Sequence, residues 1–161
     1  MSISRQNLTI VIVTFKSEEV IHDCINSIGN GIKIIVVENS NSLEFKNKIE
    51  KTYKNVECII STKNLGMGGG NNLGINLTKT DYVLILNPDV VLEESTIDEL
   101  FIASNLISNF TILAPISDNK NYPNFQTDND QEISKTKESL FEVKSVDGFA
   151  MLINKKKIDE T

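Results

Sequence analysis

The sequence predicts an α/β domain built on a mostly parallel, Rossmann-like sheet with helices on both faces. Three observations carry that expectation. Short β-branched runs alternate with segments of helical period along a chain of 161 residues. The runs Leu8–Val13, Ile34–Val37 and Tyr82–Leu86 are apolar on successive residues, as in strands buried on both faces. The connections between them are short and each carries a helical segment, which makes consecutive strands parallel.

Leu8–Val13 reads as the first strand. Ser17 follows as the cap of a helix with Glu18 and Glu19 in its first turn, carrying Val20, Ile21, Cys24, Ile25 and Ile28 on one face. Gly29 and Gly31 stop it. A second strand runs from Lys33 to Val37, and a helix passes through Phe45, Ile49 and Tyr53. Val56–Ile60 is the third strand. The stretch from Asn64 to Gly70 reads as a glycine-rich loop leading into a helix from about Asn71 to Leu77, and Tyr82–Leu86 is the fourth strand. Ser95 with Asp98, or Thr96 with Glu99, forms a capping box for a helix carrying Ile97, Leu100, Phe101 and Ile107. Ile112–Ala114 reads as a fifth strand, Ser117–Lys137 as a long polar loop, Phe141–Val146 as a sixth strand, and Gly148–Ile153 as a return to apolar structure.

The length suits one domain spanning residues 1–161. A net charge of −6 argues against a nucleic-acid binder and against a polybasic membrane anchor. No apolar run approaches the roughly 20 residues of a membrane span, and the polar N-terminus has no signal-like core. Cys24 and Cys58 fall in apolar segments and read as small buried hydrophobes, which fits a reducing, cytoplasmic setting. The lone His22 reads as a boundary residue and Lys155–Lys157 as a solvated helix end.

Chemistry concentrates where the strands end. Pro88 has no N–H and closes the fourth strand, leaving Asn87 and Asp89 at a rigid tip. A carboxylate beside a carboxamide suits a hard cation that carries phosphates. Thr14, Phe15 and Lys16 end the first strand. Glu38 ends the second, either as an acceptor for a ligand or as a helix cap or loop acid. Asn64, Gly66 and Asn72 belong to the glycine-rich stretch, which either lets backbone N–H groups approach an anion or permits close helix–sheet packing. Asp147 before Gly148 reads as an acceptor-facing carboxylate or a turn. In a parallel sheet all these ends lie on one side, where ligands bind. The first βα turn, Thr14-Phe15-Lys16-Ser17, has no glycine, which argues against a dinucleotide fold and against a nucleotidyltransferase.

In order, these motifs resemble family 2 glycosyltransferases of the GT-A fold, in the rhamnosyltransferase-like subgroup. Thr14-Phe15-Lys16 resembles that family's Thr-Tyr-Asn, and Val36-Val37-Glu38-Asn39-Ser40 its Val-Val-Asp-Asn-Ser. Asn64-Leu65-Gly66 through Gly70-Asn71-Asn72-Leu73-Gly74 resembles its Asn-x-Gly…Gly-x-Asn-x-Gly segment. Leu86-Asn87-Pro88-Asp89 resembles its Asp-x-Asp variant, and Asp147-Gly148-Phe149-Ala150-Met151-Leu152-Ile153 its Gly-Ala-x-Met-Leu-Ile segment.

The resemblance implies an inverting enzyme that moves a sugar from a nucleotide diphosphate, UDP or dTDP, to a glycan or lipid-linked acceptor in cell-surface polysaccharide synthesis. It implies that Thr14, Phe15 and Glu38 hold base and ribose, that Asn64, Gly66 and Asn72 border the nucleotide, that Asn87 sits near ribose or phosphate, and that Asp89 binds Mg²⁺ or Mn²⁺. Phe15, Lys16 and Glu38 depart from its usual Tyr, Asn and Asp. The family's general base falls in a region that follows the segment matching Lys155–Thr161, so the chain reads as C-terminally truncated, with Asp147 a weak candidate near the acceptor. A non-catalytic nucleotide-sugar-binding fragment is the alternative. A peripheral place at the inner membrane and a homo-oligomer stay open.

Overall fold

A computed structural model describes residues 3–107, 109–117, 123–126, 135–137 and 140–158. Its six-stranded sheet has the order β3-β2-β1-β4-β10-β5. The four strands β1 (Leu8–Thr14), β2 (Lys33–Glu38), β3 (Val56–Ile60) and β4 (Tyr82–Leu86) are parallel neighbours. The register pairs Thr14 with Glu38 and Ile12 with both Val36 and Leu86, so β1 and β2 end level and β4 ends two residues earlier on the same side. The tenth strand, β10 (Ala150–Asn154), runs antiparallel between β4 and the two-residue β5 (Ile112–Leu113).

Burial of strand residues on both faces makes the sheet the centre of the molecule. One core joins Ile10, Ile12, Ile34, Val36, Leu84 and Leu86 to three helices: α1 (Ile21–Ile28), α2 (Leu43–Thr52) and α4 (Thr96–Leu106). The opposite core joins Val11, Ile35, Val37, Val83 and Ile85 to α3 (Gly66–Leu77). A short α5 (Lys155–Ile158) follows β10, and its Lys155 ammonium donates to the carbonyls of Ile75 and Thr78 at the end of α3. No helix among the described residues is long and apolar enough to cross a membrane. Cys24 and Cys58 are free and buried, as expected.

Several local expectations are corrected. The first helix starts at Ile21, one turn after Ser17, with Asp23 rather than Glu18 or Glu19 in its first turn. The Ser17 hydroxyl turns back to the Phe15 backbone, at 3.3 Å from its nitrogen and 3.4 Å from its oxygen, and is thereby withdrawn from capping. Val20 is 40% exposed instead of joining the buried stripe. The capping box before α4 does not form: Ser95 is at the N-cap position but makes no side-chain cap hydrogen bond. Phe141–Val146 is two short strands, β8 (Leu140–Phe141) and β9 (Ser145–Val146). These pair with β7 (Lys135–Lys137) and β6 (Phe125–Gln126), both inside the stretch expected to be loop. Residues 118–122 and 127–134 of that stretch lie outside the described residues.

The largest correction concerns the glycines. Helix α3 begins at Gly66, so the glycine-rich stretch is mostly helix, not loop. The reason is steric. A Cβ at Gly70 would lie 2.6 Å from Val13 Cγ1, and one at Gly74 would lie 2.3 Å from Val11 Cγ1. Real carbon contacts are near 3.5–4 Å, so only glycine lets this helix lie directly on β1.

The open edge of the sheet at β3 is closed by side chains. Cys58 N–H donates to Glu50 Oε1 at 2.8 Å, and Lys46 Nζ bridges Glu50 Oε1 at 2.9 Å and the Cys58 carbonyl.

Candidate functional site

Between β1 and β4 the strand order reverses: β2 continues on one side of β1, while β4 lies on the other. At such a switch point the following loops part and leave a crevice beyond the carboxyl ends. The crevice is present as a cleft of about 490 Å³, lined by Val13, Thr14, Phe15, Ser17, Val20, Asn39, Asn64, Gly66, Met67, Asn87, Pro88 and Asp89. That size is within the usual range for small-molecule sites.

Each wall has a local cause. Thr14 is buried at the tip of β1, and its hydroxyl donates to the Val37 carbonyl at 3.4 Å. Phe15 follows it and is half exposed. At the tip of β4 the Asn87 N–H donates to the Phe149 carbonyl at 2.8 Å, and the Asn87 carbonyl accepts from Val90 N at 3.2 Å and from the Cys24 thiol at 3.5 Å. The turn is thereby fixed and carries the exposed Asp89. Burial pushes the Cys24 thiol up to about 12, and the negative charge of Asp89 adds to the rise. On the third wall Asn64 Oδ1 accepts from Gly66 N at 2.8 Å, holding the entry to α3.

Of the residues singled out in the sequence, Thr14, Phe15, Asn64, Gly66, Asn87 and Asp89 come together in this cleft. Asn72 is exposed on α3 and Glu38 lies below the cleft; neither lines it. Glu38 is 1% exposed, and its carboxylate accepts from Ser40 N at 2.8 Å, Ser40 Oγ at 2.5 Å and Ser42 N at 2.7 Å. It organises the turn into α2. Asp147 is exposed, with its N–H donating to the Asn124 carbonyl at 2.8 Å. The next residue, Gly148, would place a Cβ 4.0 Å from Met67 Cε, so this turn borders the α3 side of the cleft.

Asn39, which stands beside Glu38 in the strand-end motif but had no role assigned to it from the sequence, also lines the cleft. It is 4% exposed and ties three elements together: its N–H donates to Thr14 O at 2.9 Å, its Nδ2 to Gly66 O at 3.1 Å, and its Oδ1 accepts from Ser61 Oγ at 2.9 Å. The available signal was its place just after four apolar residues, where a carboxamide is buried with the strand. Val20 and Met67 carried no signal of their own, because an exposed apolar residue beside a cleft is indistinguishable in sequence from a core one.

The oxygen donors suit a divalent cation on one condition. No group of three or more His, Cys, Asp or Glu residues converges among the described residues. Asp89, with the Asn87 carboxamide in the same cleft, fits Mg²⁺ or Mn²⁺ when the ligand's own phosphates complete the shell, the usual arrangement for these ions.

Residues 9–158 match the model of glycosyl transferase family 2. The chain belongs to that family. A relative from Haloferax volcanii, the low-salt glycan biosynthesis hexosyltransferase Agl10, is 34% identical over 113 residues, covering 68% of this chain and 36% of its own. Among solved structures, S. aureus TarS 1-349 in complex with UDP-GlcNAc superimposes with a TM-score of 0.69 at 13% identity, covering 96% of this chain and 47% of that one. The Pyrobaculum calidifontis mannosyltransferase PcManGT, in complex with GDP-Man and Mn²⁺, gives 0.68 at 11% identity over 98% and 47%. This family 2 chain therefore spans about a third to a half of the length of these relatives, and its fold is GT-A, as the sequence motifs implied.

Proposed function

We propose that this family 2 chain binds a nucleotide-diphosphate sugar in the cleft between β1 and β4 and serves an inverting sugar transfer to a glycan or lipid-linked acceptor. The observation that carries the reading is the convergence of Thr14 and Phe15, Asn64 and Gly66, and Asn87 and Asp89 on one cleft at the switch point of the sheet. Thr14 and Phe15 offer a wall for base and ribose. Asn64 and the start of α3 border the nucleotide, and Asn87 and Asp89 face the diphosphate. Asp89 would hold a divalent cation, which when bound would supply positive charge to a diphosphate leaving group. The acceptor approaches from the side of Asp147, next to Met67 at the edge of the cleft. UDP and dTDP are the expected nucleotides, and a deoxysugar such as rhamnose is the sugar suggested by the motif subgroup. The buried hydrogen bonds of Glu38 favour a structural role for it, which leaves the base and ribose to the wall made by Thr14 and Phe15.

The test is calorimetry of the chain with UDP, dTDP and GDP, with and without Mn²⁺, repeated on Asp89→Ala. The reading expects one of the three to bind with Mn²⁺ dependence, and expects that dependence to vanish in Asp89→Ala. Failure of all three to bind refutes the donor site. Mn²⁺ dependence that survives in Asp89→Ala refutes the metal role alone. Incubation with the corresponding sugar nucleotides then separates a transferase from a binding module: hydrolysis or transfer by the chain itself excludes the module.

A further inference from the structure

We propose that Lys16 is the residue that supplies the cleft with positive charge for the diphosphate of its ligand, an inference that rests on the nucleotide-sugar reading above. Lys16 stands between Phe15 and Ser17, both of which line the cleft. Its φ is +54°, one of two non-glycine residues at positive φ among the described residues. A lysine is strained there, since its Cβ meets its own backbone, and such strain is retained where the surrounding structure holds it. The turn brings the Lys16 ammonium to 5.8 Å from the centroid of the Phe15 ring. Among the described residues Lys16 makes no ion pair with a carboxylate, although Glu18 and Glu19 are exposed close by in sequence.

The charge balance gives this position its meaning. Among the described residues the only charged one that lines the cleft is Asp89, which is negative, and the chain as a whole carries −6. A sugar diphosphate brings roughly two negative charges and a divalent cation roughly two positive ones, so with Asp89 about one negative charge is left over. Lys16 is placed to offset it. An exposed cation–π contact is a weak tether, so the ammonium can leave the Phe15 ring for a phosphate oxygen, which it holds as a charge-assisted hydrogen bond. The alternative is a solvated lysine on an incidental turn.

Two substitutions separate these. Lys16→Gly accepts the positive φ without strain and removes the ammonium, so loss of binding cannot be blamed on the fold. Lys16→Arg keeps the charge. Affinities for uridine, UMP and UDP, with the thymidine and guanosine series in parallel, are measured with Mn²⁺ at low and high NaCl. The expected result is a roughly tenfold loss of nucleoside diphosphate affinity in Lys16→Gly, unchanged nucleoside binding, a shallower salt dependence, and retention in Lys16→Arg. Diphosphate affinity and salt dependence in Lys16→Gly equal to those of the wild type overturn the assignment and leave the donor site standing. Equal losses for nucleoside and diphosphate overturn it as well. A wild-type chain that binds none of the series overturns the donor site and the lysine together.

Discussion

Replacing Gly74 by Ala tests the packing that positions the cleft. The new Cβ would lie 2.3 Å from Val11 Cγ1, 3.2 Å from Cγ2 and 3.4 Å from Cβ. Val11 is fully buried in the central strand and has no free volume to yield. To restore normal contact, α3 and β1 must part by more than ~1 Å along the whole helix, a distortion costing about 3 kcal/mol. Alanine returns ~1 kcal/mol of helix propensity, so the net loss is about 2 kcal/mol. For a chain of this size that lowers the midpoint of thermal unfolding by about 4–8 °C. Gly68→Ala is the matched control: the same helix and the same substitution, but nothing within 4 Å of the added carbon. It is expected to gain ~0.5–1 kcal/mol. Calorimetric melting of both variants decides the matter. If Gly74→Ala is as stable as wild type, α3 does not lie on β1 as described, and the α3 wall of the cleft loses its basis.

Two further outcomes follow from buried groups. Glu38→Gln keeps the shape of the side chain but presents an amide donor to backbone donors at Ser40 and Ser42; a loss of about 2 kcal/mol is expected in urea titration, and an unchanged midpoint would return Glu38 to the list of ligand contacts. Burial pushes both the Cys24 and Cys58 thiols up from 9.0 to about 12. The native state keeps those protons while the unfolded chain releases them near 9, so their contribution to stability is complete below pH 9 and is lost as pH rises toward 12. At pH 8 both thiols should resist a thiol reagent until urea unfolds the chain, and rapid labelling in native buffer would contradict their burial.

The central strands β1, β2 and β4 were legible because a strand buried on both faces is apolar along most of its length, while the edge strand β3 was legible despite its exposed Glu57. The end of β4 was legible because Pro88 has no N–H to give a ladder, whereas β2 runs one residue past its apolar run and takes Glu38 into the ladder opposite Thr14 and Ile60. What the sequence hid were choices that depend on a neighbour. Gly70 and Gly74 look like loop residues until Val13 and Val11 are placed beneath them. Ser17 looks like a cap until its hydroxyl is found on its own turn. Glu38 carries the right chemistry for a ligand contact, but a glutamate is one methylene longer than an aspartate and folds back onto Ser40 and Ser42. Phe141–Val146 has strand composition throughout, yet its two ends pair with different partners, and the Lys144 N–H between them donates to the Gln126 carbonyl at 2.8 Å. The cleft was foreseeable from the carboxyl ends of the strands, as were its walls at Thr14, Phe15, Asn64, Gly66, Asn87 and Asp89, whereas Val20 and Met67 join it through tertiary packing alone.

The Lys46–Glu50 pair over Cys58 has a consequence for how this molecule meets others. A sheet edge is a template, and a passing extended chain recognises it through the same N–H and C=O that Glu50 and Lys46 already hold. To add a strand at Cys58, a partner must first displace an ion pair set one helical turn apart. The hydrogen bonds from Lys46 and from the Cys58 backbone hold the Glu50 carboxyl below its ordinary 4.5. The pair's contribution is therefore complete above pH 4.5 and is lost as pH falls through that lowered value. Two side chains of the second helix thus hold the β3 edge at Cys58, while the cleft stays open at the ends of the strands.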